Sequence, residues 1–294
     1  MKVVRFSVIK LLAVLLLGVG LAPVHAVLLG KTDGTGNTTA PADDPGWDRV
    51  GTVNGSTGVY LGNNFVLSAR HVDAGAFTLG ATTYSVDPFF IPQSFQTQSG
   101  PDQFADLVIF RILNGPVMSM LPIYGGSGEA GLTGTYVGYG LDRGTEVTGQ
   151  GWLWGSTHTK RWGQNIIDGF TIVNSGGTFY EGLVSDFDKV GFGGSGLAEE
   201  AHAATGDSGG ALFLKDAGVW KLAGIMTAVT QDGRSFYDTD PGLPGNQLPD
   251  KLVSVRLSAY DNWILATIPE PKAGVLMVFG LAAVAFRLLT RNRR

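Results

Sequence analysis

The chain has 294 residues, a formal net charge of −4 and no cysteine. That composition excludes a disulfide framework and a thiolate metal site, and its scattered lysines and arginines offer no footprint for nucleic acid. Glycine is abundant, 44 residues without a fixed period, which excludes a collagen-like chain and predicts many turns.

In chain order, Lys2, Arg5 and Lys10 give a positive start, Leu11 to Leu21 is apolar, and Val24-His25-Ala26 fits a small-residue cleavage site. Residues 1–26 therefore read as a secretory signal peptide cut after Ala26. Residues 27–46, rich in Gly, Thr, Asp and Pro, read as an extended or loosely ordered lead-in. The body, 47–267, alternates short apolar runs with turn residues. Gly58–Leu61, Phe65–Ser68, Leu107–Ile112, Thr135–Tyr139, Ala211–Leu214 and Trp220–Val229 are predicted strands of an antiparallel, all-β domain. Residues 141–165, with Trp152, Trp154 and Trp162 among glycines, read as a folded surface loop pinned by aromatics, the sharper alternative being a substrate-facing loop. Helical periodicity appears once in the body, over Leu252–Ile268, with Leu257, Tyr260, Trp263 and Ile264 on one side.

After residue 268 the chain runs Pro269-Glu270-Pro271, an apolar stretch Ala273–Phe286 extended by Leu288 and Leu289, and then Arg291, Arg293 and Arg294 behind Arg287. The stretch is short for a bilayer span, which takes roughly 17–25 residues, but Arg287 can snorkel. The three parts together resemble the PEP-CTERM sorting signal. That resemblance implies a transient C-terminal membrane anchor over 268–294, processing by an exosortase-type partner, and export by a Gram-negative bacterium to its surface or surroundings.

Three further segments carry chemistry. Gly206-Asp207-Ser208-Gly209-Gly210 offers a serine on a side-chain-poor turn, where a substrate carbonyl can approach and backbone N–H groups can converge. Ser68-Ala69-Arg70-His71 supplies a histidine at the end of a predicted strand, and Asp106 opens an apolar run. Each alone is ordinary. Together they give His71, Asp106 and Ser208 in an order that fits base, orienting acid and nucleophile. Backbone N–H groups of Gly206 and Ser208 would face the oxyanion, a contribution of about 3–4 kcal/mol per donor. Neither a metal nor an organic cofactor is called for.

These segments resemble the chymotrypsin/trypsin family of serine endopeptidases. Phe65–His71 resembles the strand ending in the family's histidine, with Ser68 and Arg70 as departures. Asp106–Phe110 resembles its aspartate strand, Gly138-Tyr139-Gly140 the opening of its second barrel, and Gly206–Gly210 its nucleophile loop unaltered. Ala223–Thr227 resembles the strand lining the substrate cleft and Arg256–Ile264 the terminal helix. The blocks span about residues 50–265 in order. The resemblance implies two antiparallel six-stranded β-barrels, a C-terminal helix and a peptide or protein substrate. It also places His202 at the base of the specificity pocket and Thr227, Ala228 and Val229 along its wall. With His202 rather than an acid there, and Val229 in place of a common glycine, small apolar side chains are expected. The family further implies that a new N-terminus, here Val27, pairs with the acid before the nucleophile, Asp207; an unpaired, flexible lead-in is the alternative. Two rival functions remain: an inactive binding protein on the same scaffold, which would not need an intact triad, and an esterase using the same triad, which lacks the nucleophile elbow of α/β-hydrolases.

Overall fold

The computed structural model describes residues 27–100, 102–191, 196–237 and 249–268. The signal peptide and the sorting tail read from the sequence lie outside the described residues. The described residues are mostly β with one α-helix, Asp261–Thr267, arranged as two β units in succession.

A two-residue strand, Leu28–Leu29 (β1), precedes the first unit. That unit comprises Val50–Val53 (β2), Ser56–Gly62 (β3), Phe65–Ser68 (β4), Phe77–Leu79 (β5), Thr82–Tyr84 (β6), Gln93–Gln96 (β7) and Phe104–Arg111 (β8). The second unit contains Thr133–Gly138 (β9), Leu141–Val147 (β10), Gly151–His158 (β11), Arg161–Ile166 (β12), Gly169–Ser175 (β13) and Thr178–Asp186 (β14). It continues through Ala201–His202 (β15), Ala211–Asp216 (β16), Val219–Val229 (β17), Arg234–Phe236 (β18), Lys251–Arg256 (β19) and the helix Asp261–Thr267 (α1).

Hydrogen bonding runs β6-β5-β2-β3-β4-β8 in the first unit and β14-β19-β17-β16-β9-β12 in the second, with β7 and β13 branching off. The two paths meet at a single parallel register pair, Thr178 with Phe104. Among the described residues neither path closes into a hydrogen-bonded ring. Burial joins what hydrogen bonding nearly separates. One core cluster contains Val59, Leu61, Leu67, Leu107 and Ile109 from the first unit, and Val137, Phe213, Leu222, Ile225 and Val255 from the second. Apolar burial is what drives such a fold in a chain with no disulfides.

The six strands predicted from apolar runs all appear. Two other expectations need correction, and a third is narrowed. Leu252–Arg256 is strand β19, not the first half of a helix. It lies between β14 and β17, and Leu252–Val255, Ser254 included, is buried on both faces. Among the described residues only seven, Asp261–Thr267, are α-helical. Residues 141–158 form the hairpin β10–β11 rather than an irregular loop. There Trp152 packs against Phe187 and Tyr237, and Arg143 stacks on its ring at 3.6 Å. Residues 27–46 are extended but not loose. Val27, Leu28 and Leu29 are fully buried, Leu28 pairing with His202 and Leu29 with Ala201. Asn37 and Thr39 bond Trp162, and Asp43 pairs with Lys215 and Trp220.

Candidate active site

The site forms where the two units meet. Strand β4 ends at Ser68, and a tight turn follows in which Val72 N–H donates to Ala69 O and Asp73 N–H to Arg70 O. That turn presents His71, whose side chain is about half exposed. Asp106, third residue of the buried β8, reaches it from the neighbouring strand. His71 Nδ1 lies 2.7 Å from one Asp106 oxygen, and the His71 backbone N–H donates to the other at 3.0 Å. The double contact fixes both ring position and tautomer, since the acid holds the proton on Nδ1 and leaves Nε2 free to accept. The hydrogen bond to Asp106 also raises the histidine pKa above its ordinary value, against the opposing effect of burial.

Ser208 comes from the second unit. Its carbonyl accepts the Thr57 N–H of β3 at 3.0 Å, and Thr57 Oγ donates to Gly206 O at 2.8 Å while accepting Tyr139 N–H. Ser68 Oγ donates to Thr57 O. Gly209, at φ +85°, lies so close that a Cβ would collide with Thr57 O and Ser68 Oγ. The Ser208 loop is thus seated against the strand pair that leads to His71. Among the described residues, no hydrogen bond joins the Ser208 hydroxyl to the His71 ring.

Within the loop, the N–H groups of Asp207, Gly209 and Gly210 donate to Ala204, Met226 and Asp207 carbonyls. Those of Gly206 and Ser208 have no acceptor among the described residues, and two such donors on one turn are what an oxyanion requires. His158, the last residue of β11, packs against Gly206, and its Nδ1 is 3.0 Å from Tyr139 O.

Asp207 points the other way, into the second unit, and is fully buried. It accepts N–H groups from Gly140 at 2.7 Å, Ala204 at 2.9 Å and Val27. Burial nevertheless pushes its pKa up to about 7. Gly138 and Gly140 leave the room it needs, since a Cβ on either would strike the carboxylate.

A cavity of about 250 Å³ opens beside Ser208. Thr227, Ala228 and Val229 line it, with Met226 before them, and Ala203–Thr205 form the facing side. His202 does not line it. Its ring is wholly buried against Phe187, its Nδ1 is 2.8 Å from Ser235 Oγ, and burial drives its pKa down to about 4. The pairing of β15 with the inserted β1 turns His202 away from the cavity that its position before Ser208 suggested. Ala203, Ala204, Thr205 and Asp232, in the turn after β17, escaped the sequence reading, whereas Trp154 of β11 comes from the stretch for which a substrate-facing loop was the alternative.

Among the described residues no group of three or more metal-ligating side chains is gathered, and no helix is long and apolar enough to cross a membrane. No family model matches the chain, and no curated protein matches it. Solved structures similar to it include mouse neuropsin, a serine protease, at 16% identity over 80% of this chain and 99% of that one, with a TM-score of 0.49. The Rv3671c protease in an inactive form is 14% identical over 79% and 100% of the two chains, with a TM-score of 0.46. The NS6 protease of murine norovirus 1 is 14% identical over 74% and 93%, with a TM-score of 0.42.

Proposed function

We propose that this chain is an exported serine endopeptidase acting through His71, Asp106 and Ser208. The observation that carries the reading is the bidentate hold of Asp106 on His71 next to a serine loop with two uncommitted N–H groups. In this mechanism Ser208 Oγ attacks the scissile carbonyl carbon and His71 Nε2 takes its proton. The oxyanion accepts hydrogen bonds from the Gly206 and Ser208 N–H groups. Collapse breaks the C–N bond as His71 returns the proton to the leaving amine. Water then attacks the acyl-enzyme, giving a proton to His71 that passes back to Ser208. The Ser208–His71 hydrogen bond forms in the substrate complex, where such contacts tighten.

On the same reading, residues 1–26 direct export and an exosortase-type enzyme processes the tail after a transient stay in the membrane. Cleavage after Ala26 leaves Val27 with an α-ammonium in place of the N–H that Asp207 accepts, so that signal peptidase completes the site. The test is labelling by an uncharged fluorophosphonate, with the adduct mapped to Ser208 by peptide mass spectrometry. Ser208→Ala, His71→Ala and Asp106→Asn each lose several orders of magnitude in hydrolysis, non-additively, with the fold retained. A near-wild-type rate in Ser208→Ala overturns the assignment.

A further inference from the structure

We propose that the cavity where Lys160 of the second unit meets Trp47 of the first binds a small aromatic monocarboxylate. This site is separate from Ser208, so its failure would leave the endopeptidase reading untouched.

The cavity has a volume of about 350 Å³. Both units and the segment between them line it. Trp47 and Asp48 precede β2, Leu79 and Tyr84 close β5 and β6, Met118 lies in the connecting segment, and Lys160 sits just ahead of β12. Aromatic and apolar side chains predominate, as they do in small-molecule sites, where a few polar groups then fix the ligand's orientation.

Lys160 is the polar group that would fix it here. Its ammonium donates to Trp47 O and, at 2.6 Å, to Val50 O, and it lies 4.4 Å from the centroid of the Trp47 ring. An ammonium has three donors, and the two carbonyls leave one over. Among the described residues Lys160 forms no ion pair, whereas Lys31, Lys215, Lys221 and Lys251 each meet a carboxylate. Burial draws its pKa down to about 8, against the pull of Asp48 and Asp44. A cation shielded from water and held only by neutral carbonyls lacks a counter-charge. A ligand carboxylate supplies that charge and an acceptor for the third donor together.

The acids nearby do not fill this role. Asp44 accepts the N–H groups of Gly46 and Trp47. Asp48 lines the cavity but is exposed, and it forms no ion pair with Lys160. Water screens the Asp48 charge more than that of the shielded Lys160, so one anionic group is favoured. A second would meet Asp48, which is why a monocarboxylate fits best. The rings of Trp47 and Tyr84, with Leu79 and Met118, give an aromatic body its packing surface. Among the described residues the Tyr84 hydroxyl and the Trp47 indole N–H make no hydrogen bond, and both remain available as donors.

The experiment is isothermal titration of the full chain with phenylacetate, its neutral amide phenylacetamide, and the cation phenethylamine. Phenylacetate is expected to bind roughly tenfold more tightly than the amide, the scale of one hydrogen bond to a charged group. Lys160→Met removes the charge and keeps an apolar stem, and it should bring phenylacetate down to the affinity of the amide. Tyr84→Ala should weaken both probes and leave their ratio standing. In NMR spectra the indole N–H signal of Trp47 is expected to shift on titration while that of Trp154, beside the Ser208 cavity, stays in place. Equal affinity for acid and amide, tightest binding of phenethylamine, or no binding of any probe overturns the proposal. So does a tenfold advantage that survives Lys160→Met, or a shift of Trp154 in place of Trp47. If Lys160→Met fails to fold, the ranking of the three probes on the wild-type protein and the Trp47 signal still decide.

Discussion

An alanine added before Val27 of the mature chain tests the link between the amino terminus and the nucleophile loop. In the uncleaved chain Asp207 is fully buried with three amide donors and no cation, and its pKa stands at about 7 against an ordinary 3.8. A carboxyl group whose pKa is raised by folding costs stability. Below about pH 4 both states hold the proton and nothing is lost. Between about 4 and 7 the unfolded chain ionises alone and stability falls, and above 7 the whole penalty is in place. The difference corresponds to an upper limit on the order of 4 kcal/mol. An α-ammonium on Val27 removes that penalty by favouring the charged carboxylate. The extra residue displaces the ammonium by about 3.8 Å along the chain and restores a neutral amide at Val27. The assay is the midpoint of thermal unfolding from pH 4 to 8 for the two forms. At roughly 2–4 °C per kcal/mol for a domain of this size, the Val27 form is expected to be more stable by several degrees at pH 7.5, the gap narrowing toward pH 4. Glu200, pushed up to about 8, and His202, at about 4, also titrate in burial, but they are common to both forms and cancel in the difference. Parallel curves with no gap, and equal hydrolysis, would refute the pairing.

Because neutral His71 is the base and Asp106 raises its pKa, hydrolysis is expected to rise with pH through a midpoint above 6.5 and to be lost below it. Asp106→Asn lowers that midpoint as well as the rate, and a wild-type midpoint under 6 in the pH–kcat/KM profile contradicts the contact. Gly140→Ala drives a Cβ into the Asp207 carboxylate and is expected to cost about 1–3 kcal/mol, read as a lower unfolding temperature; an unchanged temperature would deny the close approach. Arg256 holds the wholly buried Glu129 with two hydrogen bonds, at 2.8 and 3.0 Å, so Arg256→Met is expected to cost about 3–5 kcal/mol in denaturant unfolding. Adding Glu129→Gln should recover part of that loss, and no recovery would show that packing rather than charge is at stake. Mass spectrometry of the cell-surface form is expected to lack residues 1–26; a cytoplasmic product carrying both residues 1–26 and the terminal arginines would refute export.

What could be read in the sequence was what local pattern encodes. Leu107–Phe110 and Ala211–Leu214 are apolar runs too short for a helix and bounded by turns, so their strands follow from composition. The His71, Asp106 and Ser208 segments stood out because each couples a reactive side chain to such a run or to glycines. The rest depended on distant partners. The apolar spacing of Leu252–Ile268 fits a helix or a strand, and only pairing with both β14 and β17 decides for the strand. The β10–β11 hairpin is polar and glycine-rich, so it carries no alternation, and its tryptophans find Phe187 and Tyr237 only after folding. His202 was misplaced because position relative to Ser208 says nothing about β1, which inserts from the far end of the chain. Asp232 carried no signal at all: an acid in a turn looks like any other until the fold sets it on the wall of the cavity that Ser208 also lines.

Thr57 gives the seam between the two units a means of being observed. Its amide hydrogen is bonded to Ser208 O across that seam, and its side chain is fully buried. Solvent can replace this hydrogen only when the units part, even while each keeps its own strands. Its exchange rate therefore measures the opening free energy of the seam separately from global unfolding. A ligand that binds across both units should slow exchange at this one amide in proportion to its occupancy, whether or not it is ever turned over.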